Sequence, residues 1–276
     1  MAEHNPEIGL RVNADSIRTN YHDTDSDGAP VLLIHGSGPG VSAWVNWRLT
    51  LPALAERYRV IAPDMVGFGF TERPPGHKYN MTNWIKHAVA VMDALKIDKF
   101  SVVGNSFGGA LALGLTIHHP ERVDKLVLMG SAGVSFAITE GLDKVWGYTP
   151  SIDNMKELLD IFSWNRDLVS DELAELRYHA SIQPGFQESF AAMFPPPRQR
   201  WVDAMAFTDE QIGSIRSPTL IIHGREDQII PPDNSRRLFS LIPQSELHMF
   251  GQCGHWTQIE YAQAFNRLVS DFLASR

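Results

Sequence analysis

Short apolar runs separated by stretches of helical spacing set the rhythm of this chain. VLLI (31–34), RVIAP (59–63), FSVVGN (100–105), LVLMG (126–130), TLIIHG (219–224) and ELHMF (246–250) are brief and rich in branched side chains. Runs that are apolar on both alternating faces suit strands of a parallel sheet covered on each side by helices. Between them, 49–57, 80–97, 107–118, 234–241 and 258–274 carry the apolar spacing of helical crossovers. The alternation predicts a layered α/β fold. Ahead of the series, Arg11–Val12 and Ser16–Tyr21 read as one or two antiparallel strands at the sheet edge, where polar alternation is tolerated.

From Gly130 to Ser217 the strand rhythm stops. The segment instead carries Trp146, Trp164 and Trp201 with Phe136, Phe162, Phe186, Phe190, Phe194 and Phe207. Helical pieces at 153–162 and 171–181, followed by the breaker PPP at 195–197, predict a mostly helical cap over one end of the sheet. Its aromatics read equally well as a satellite core or as pocket lining. The expected division is a core of 1–130 and 216–276 and a cap of 131–215.

Composition narrows the classes. At 276 residues, 43% hydrophobic, the chain can bury one large core. Its 24 basic residues are scattered and outnumbered by 32 acidic ones. No nucleic-acid partner is expected, because neutralising phosphate needs a concentrated positive surface. Cys253 is the lone cysteine, so neither an intrachain disulfide nor a cysteine metal cluster can form. The opening MAEHNPEIGLRVN lacks a basic-then-apolar leader, and no window approaches 18 apolar residues. Neither secretion nor membrane spanning is expected, and the cytoplasm is the natural home.

The candidate chemistry begins where FSVVGN runs into Gly104-Asn105-Ser106-Phe107-Gly108-Gly109 and then an Ala/Leu-rich helix. In G-x-S-x-G a sharp strand-to-helix turn crowds the backbone two residues before and two after the serine, where a side chain would collide. Ser106 would stand at that turn with its hydroxyl exposed. The Phe107 amide, at the helix N-terminus, can donate to a developing oxyanion. The second donor is expected from the Ser37 amide, in the glycine-rich HGSGPG loop after VLLI.

A serine needs a base, and the base needs an acid. Of 11 histidines, His255 follows the last strand in GQCGHW and precedes the closing helix. Asp227 leaves the strand TLIIHG in the following RED. The order Ser106, Asp227, His255 is the one this kind of hydrolase uses. Glu226 is adjacent but on a turn that aims it elsewhere, and the alternative acid position, 131–133, holds only Ser131, Ala132 and Gly133. His118-His119, before Pro120, reads as a helix end, since no carboxylate partner or HExxH accompanies it.

With these residues in view, the whole chain resembles the α/β-hydrolase fold, and more narrowly the meta-cleavage-product hydrolases of bacterial aromatic degradation. The likeness is carried by HGSGPGVSAWVNW (35–47), PDMVGFGFTERP (63–74), GNSFGGALAL (104–113), LVSDELAELRY (168–178), HGREDQIIPP (223–232) and GHWTQIE (254–260). It implies a mostly parallel eight-stranded sheet with a helical cap inserted after strand 6. It also implies the triad Ser106, Asp227 and His255, with the Ser37 and Phe107 amides as oxyanion donors. Arg177 matches the arginine such enzymes use for the substrate carboxylate. Asn46, Asn105 and Trp256 match the polar and aromatic residues around the dienoate, beside Gly36 and Gly38 of the loop. Without the resemblance, Arg177 would be read as a helix-surface arginine.

The implied reaction splits the C5–C6 bond of a 2-hydroxy-6-oxo-hexa-2,4-dienoate into 2-hydroxypenta-2,4-dienoate and a carboxylic acid, without cofactor or metal. His255 would move a proton to C5, and either Ser106 or a water activated by Ser106 and His255 would attack the C6 ketone. Phe107 and Ser37 resemble the members that handle hydrogen or short alkyl groups on C6. The expected substrate is therefore 2-hydroxy-6-oxohepta-2,4-dienoate or a near relative, with 2-hydroxymuconate semialdehyde close behind. The family also implies a homodimer or larger homo-oligomer. A carboxylesterase or lactonase of the same fold and a non-catalytic binding protein are the competing readings.

Overall fold

The computed structural model describes residues 5–275. Its strands are β1 Leu10–Ala14, β2 Ile17–Asp23, β3 Ala29–Ile34, β4 Tyr58–Pro63, β5 Phe100–Asn105, β6 Val123–Met129, β7 Thr219–Gly224 and β8 Ser245–Phe250. They form one eight-stranded sheet in the order β1-β2-β4-β3-β5-β6-β7-β8. β1 pairs with β2, and β2 with β4, antiparallel; every other neighbour is parallel. The edge expected at 11–21 is a hairpin in which Ala14 faces Ile17 across Asp15 and Ser16. Both turn residues have positive φ, 49° and 69°, as a tight turn matched to strand twist requires.

Side chains alternate across each strand, so the period of two sorts the sheet into two cores. Leu32, Ile34, Val102, Leu126, Leu128 and Ile221 enter one layer. Val31, Leu33, Val103, Val127, Met129, Leu220 and Ile222 enter the other. Helices Met81–Ala94 and Phe107–His118 cover the first face, and Leu51–Ala55 with Ala262–Ala274 the second.

The helices depart from the sequence expectation at several points. The stretch 258–274 is broken into Thr257–Glu260 and Ala262–Ala274 at Tyr261, whose hydroxyl donates to the Gly251 carbonyl at 2.9 Å. The helix at 49–57 is only Leu51–Ala55. An unforeseen one-turn helix, Ala43–Trp47, starts where the Ser42 hydroxyl accepts from the Val45 amide. Neighbouring glycine and proline hide that cap in the sequence.

The helical insertion lies between β6 and β7. Besides the expected Ile152–Phe162 and Asp171–Ser181, it holds Glu140–Trp146, Phe186–Met193, Gln199–Met205 and Asp209–Gly213. Thr139, Ser151, Ser170 and Thr208 each cap a helix by accepting from an amide three residues on. The aromatics do not form a satellite core: Trp146, Phe190 and Phe194 belong to the main cluster. Trp146 stacks on Phe194 at 4.3 Å, and Phe194 meets Phe107 at 6.5 Å, so the insertion is welded to the sheet beside Ser106. Among the described residues no helix is long and apolar enough to cross a membrane.

Two histidines are sealed in the first layer. His35 donates from Nδ1 to the Gly36 carbonyl (2.8 Å) and accepts at Nε2 from the Met65 amide (3.0 Å). His87 meets Thr19 Oγ1 at 2.8 Å and accepts from the Val66 amide at 3.3 Å. Burial pulls their pKa down, to about 4 and about 3 respectively. Below about pH 6.5 the unfolded chain therefore takes up protons that the fold refuses, and each ring removes about 1.4 kcal/mol per pH unit until its folded pKa is reached. Urea midpoints should fall as pH drops from about 6.5 towards 4, and His87→Gln should flatten that fall. An unaltered slope would refute the assignment.

Candidate active site

β5 ends at Asn105 and the next helix begins at Phe107, leaving Ser106 alone to make the turn. Its backbone sits at φ 56°, ψ −115°, a strained conformation for a residue with a side chain. The surroundings enforce it. The Ser106 amide donates to the Met129 carbonyl, and the Ser106 carbonyl accepts from Gly109, Ala110 and Ala132. A Cβ on Gly104 would lie 2.3 Å from the Gly108 carbonyl oxygen, and one on Gly108 would lie 2.3 Å from that of Ile34. Both glycines are thus required for the reason the motif predicts.

Asp227 lies in the turn after β7, closed by its amide on the Gly224 carbonyl. Oδ1 accepts from the Ile229 and Ile230 amides at 2.7 and 3.0 Å. Oδ2 stands 2.6 Å from His255 Nδ1 and 3.1 Å from His223 Nε2. Burial alone would push this carboxyl up, but the charge and hydrogen bonds of His255 and His223 outweigh it and hold it below the ordinary carboxylate range. Glu226 faces away, accepting from Arg225 and from the Cys253 amide. Gly130, at φ 50°, lets the end of β6 pass the pair: its Cβ would lie 3.2 Å from His255 Nδ1. The position just before 131–133 is therefore packing room for the histidine and its acid.

The His255 amide donates to the Phe162 carbonyl at 2.8 Å, so the insertion holds the loop that presents the imidazole. Ser106 and His255 border one cavity, and among the described residues no hydrogen bond joins Ser106 Oγ to His255 Nε2, the imidazole being bonded through Nδ1. The Ser37 and Phe107 amides likewise meet no protein acceptor. Ser37 Oγ accepts from Trp146 Nε1 at 3.0 Å, tying the glycine loop to the insertion. Gly36, Gly38, Asn46, Asn105 and Trp256 border the same cavity. Asn46 Nδ2 donates to Asn105 Oδ1 at 3.1 Å, and Trp256 stacks on Phe162 at 4.9 Å.

Arg177 is a wall residue of this cavity, not the helix-surface arginine that its own helix alone would suggest. It is 8% exposed, and one amino group, Nη2, donates to the Gly40 and Pro39 carbonyls at 2.8 and 3.2 Å. No carboxylate pairs with it among the described residues. Burial lowers its pKa. A buried guanidinium without a counter-ion is costly and calls for an anion.

Sequence reasoning missed Arg48, a second cation on the cavity wall, and His223, the other partner of Asp227. It named Phe162 only among the aromatics of the insertion. No local signal distinguishes any of the three; the shared spacing of HGRED around Asp227 is the nearest hint.

A serine hydroxyl facing a cavity from a strained turn, an imidazole held by a buried carboxylate, free amides and a buried cation together make a nucleophilic hydrolase site for an anionic substrate. Residues 29–262 match the family described as the alpha/beta hydrolase fold. The chain is 62% identical, over 99% of its length and 96% of the relative's, to the 2-hydroxymuconate semialdehyde hydrolase of Pseudomonas sp. strain CF600. It is 58% identical, over 100% and 99%, to the 2-hydroxy-6-oxo-2,4-heptadienoate hydrolase of Pseudomonas putida. Among solved structures, a meta-cleavage product hydrolase variant from Pseudomonas fluorescens IP01, complexed with acetates, superposes with a TM-score of 0.96 at 61% identity over 98% of both chains. The chain belongs to the α/β-hydrolase family and, within it, to the meta-cleavage-product hydrolases.

Because a methyl at Gly108 must displace backbone, Gly108→Ala should cost about 2–3 kcal/mol, read as a fall in Tm. Gly38→Ala, whose Cβ would meet only the Phe162 ring at 3.8 Å, should leave Tm nearly unchanged. Equal effects would contradict this account of the turn.

Proposed function

We propose that this protein hydrolyses the C5–C6 bond of 2-hydroxy-6-oxo-hexa-2,4-dienoates with a short C6 substituent. The observation that carries the reading is the unpaired, buried Arg177 guanidinium on the wall of the cavity that Ser106 and His255 open into. In this reading it takes the substrate carboxylate through the donors not spent on Gly40 and Pro39. Asn46, Asn105 and Trp256 then flank the dienoate, and the C6 ketone reaches Ser106 between the Ser37 and Phe107 amides.

The steps follow from the donors and acceptors. The C2 hydroxyl loses its proton and His255 delivers one to C5, giving a 2,6-dioxo-3-enoate. Oxygen attack on C6, by Ser106 or by water, places negative charge on the ketone oxygen, where the two free amides receive it. When C5–C6 breaks, its electron pair passes through C4 and C3 to the C2 oxygen, and protonation releases 2-hydroxypenta-2,4-dienoate. Water supplies the second oxygen of the carboxylic acid. Asp227 stays ionised throughout and holds His255 by Nδ1.

A short C6 group is supported by the names of the relatives. The relatives at 62% and 58% identity are named for the semialdehyde and the heptadienoate, whereas one at 36% identity, from Burkholderia cepacia, is named for the 6-phenyl substrate. We also propose that 131–215 acts as a lid on a core of 1–130 and 216–276. A homodimer or larger homo-oligomer rests on the resemblance, and a cytoplasmic location on the lone cysteine and the opening sequence.

Specificity constants should rank the methyl- and hydrogen-substituted dienoates above isopropyl and place phenyl last; a phenyl optimum overturns the subgroup. Ser106→Ala should lower kcat by about 1,000-fold or more. Arg177→Ala should cost roughly 10- to 100-fold in kcat/KM for the dienoate, the worth of a charged hydrogen bond, while leaving small neutral ester turnover within about threefold. Equal losses on both substrates would remove the carboxylate role.

A further inference from the structure

The proposed reaction leaves one buried polar group beside the triad without a task. His223, at the end of β7, is wholly sealed from solvent, as is Ser235 in the helix Pro232–Leu241. His223 Nε2 faces two acceptors, Asp227 Oδ2 at 3.1 Å and the Ile230 carbonyl at 3.0 Å. Neither an ionised carboxylate nor a carbonyl can donate, so the ring carries its proton at Nε2. Its other nitrogen, Nδ1, lies 2.6 Å from Ser235 Oγ. A ring flip would break the contacts at both ends, so the orientation is fixed. The oxygen that His223 grips is the same Oδ2 that His255 Nδ1 meets at 2.6 Å.

Asp227 therefore has no freedom left. Two amides hold Oδ1 and His223 holds Oδ2 from the side, so the remaining direction on Oδ2 points to His255. We propose that His223 is a positioning residue for the hydrolysis, with Ser235 as its brace: through Asp227 they aim the His255 imidazole. The inference rests on the reading of Ser106, His255 and Asp227 as the reacting unit. A merely structural alternative is that His223 only ties β7 to the turn 227–230 and to the helix behind it. That alternative predicts lost stability with no selective effect on turnover.

The variants His223→Leu, His223→Gln and Ser235→Ala separate the two. Glutamine carries an amide N–H at the same reach, whereas leucine removes the donor. Each is assayed for kcat and KM on 2-hydroxy-6-oxohepta-2,4-dienoate and on p-nitrophenyl acetate, with Tm recorded. Misaligning a catalytic group by about 1 Å can cost up to about 100-fold. His223→Leu should lose about that much in kcat on both substrates with KM within about twofold, and His223→Gln should recover most of it. Ser235→Ala should lower kcat about threefold. Losses equal in the leucine and glutamine variants, losses confined to KM, or unchanged kcat overturn the proposal. If the leucine variant fails to fold, Ser235→Ala decides: a lower kcat at constant KM supports the proposal, and an unchanged kcat overturns it. If the wild type hydrolyses the ester but not the dienoate, the substrate reading fails, and the ester kcat values still decide the role of His223.

Discussion

The close approach of the helix Phe107–His118 to the end of β3 is the constraint on which the site depends. Only glycine at 108 lets the helix backbone pass the Ile34 carbonyl, and only that passage forces Ser106 into its strained turn. Strain of this kind costs on the order of 1–3 kcal/mol and persists because surrounding contacts over-determine it. Here the contacts are the β6 hydrogen bond to the Ser106 amide and the three amides on its carbonyl. The same helix start leaves the Phe107 amide without an acceptor among the described residues, so the strained serine and the free amide beside it come from one geometric event.

Around that turn the insertion supplies the second half of the site through a few specific bonds. Trp146 ties the Ser37 hydroxyl, the Phe162 carbonyl holds the His255 amide, and Arg177 reaches back to Pro39 and Gly40. Two of these reach the glycine-rich loop 35–40 and the third the loop that carries His255. The aromatic column through Phe107, Phe194 and Trp146 supplies the apolar burial that makes these polar ties affordable. Stability and reactivity meet in the same residues, since Phe107 both packs the column and offers its amide.

Several buried polar groups are met by defined partners. Asp227 is surrounded by donors on both oxygens, Asp64 accepts from the Ala43 and Phe70 amides and from Asn20, and His35 and His87 remain neutral. Arg177 keeps unspent donors on the cavity wall, and so does Arg48, which among the described residues donates only to the Val45 carbonyl. A buried guanidinium with no carboxylate beside it is costly, and that cost is what an anion in the cavity would offset.

Local sequence was sufficient for the sheet faces and for the serine turn, though not for the short helix Ala43–Trp47. The two-residue alternation of VLLI and FSVVGN determined both faces of the sheet, and G-x-S-x-G determined the turn, because collisions between neighbours decide them. Asp227 and His255 were readable because strand ends place them in chain order. The contacts of His223, the wall position of Arg48 and the burial of Arg177 were decided by tertiary structure. Asp227 Oδ2 lies between residues four and 28 positions away in sequence. Arg177 reaches a loop more than 130 residues upstream. Which neighbours a long side chain meets depends on how the insertion folds back over the sheet, a packing outcome that no local spacing encodes.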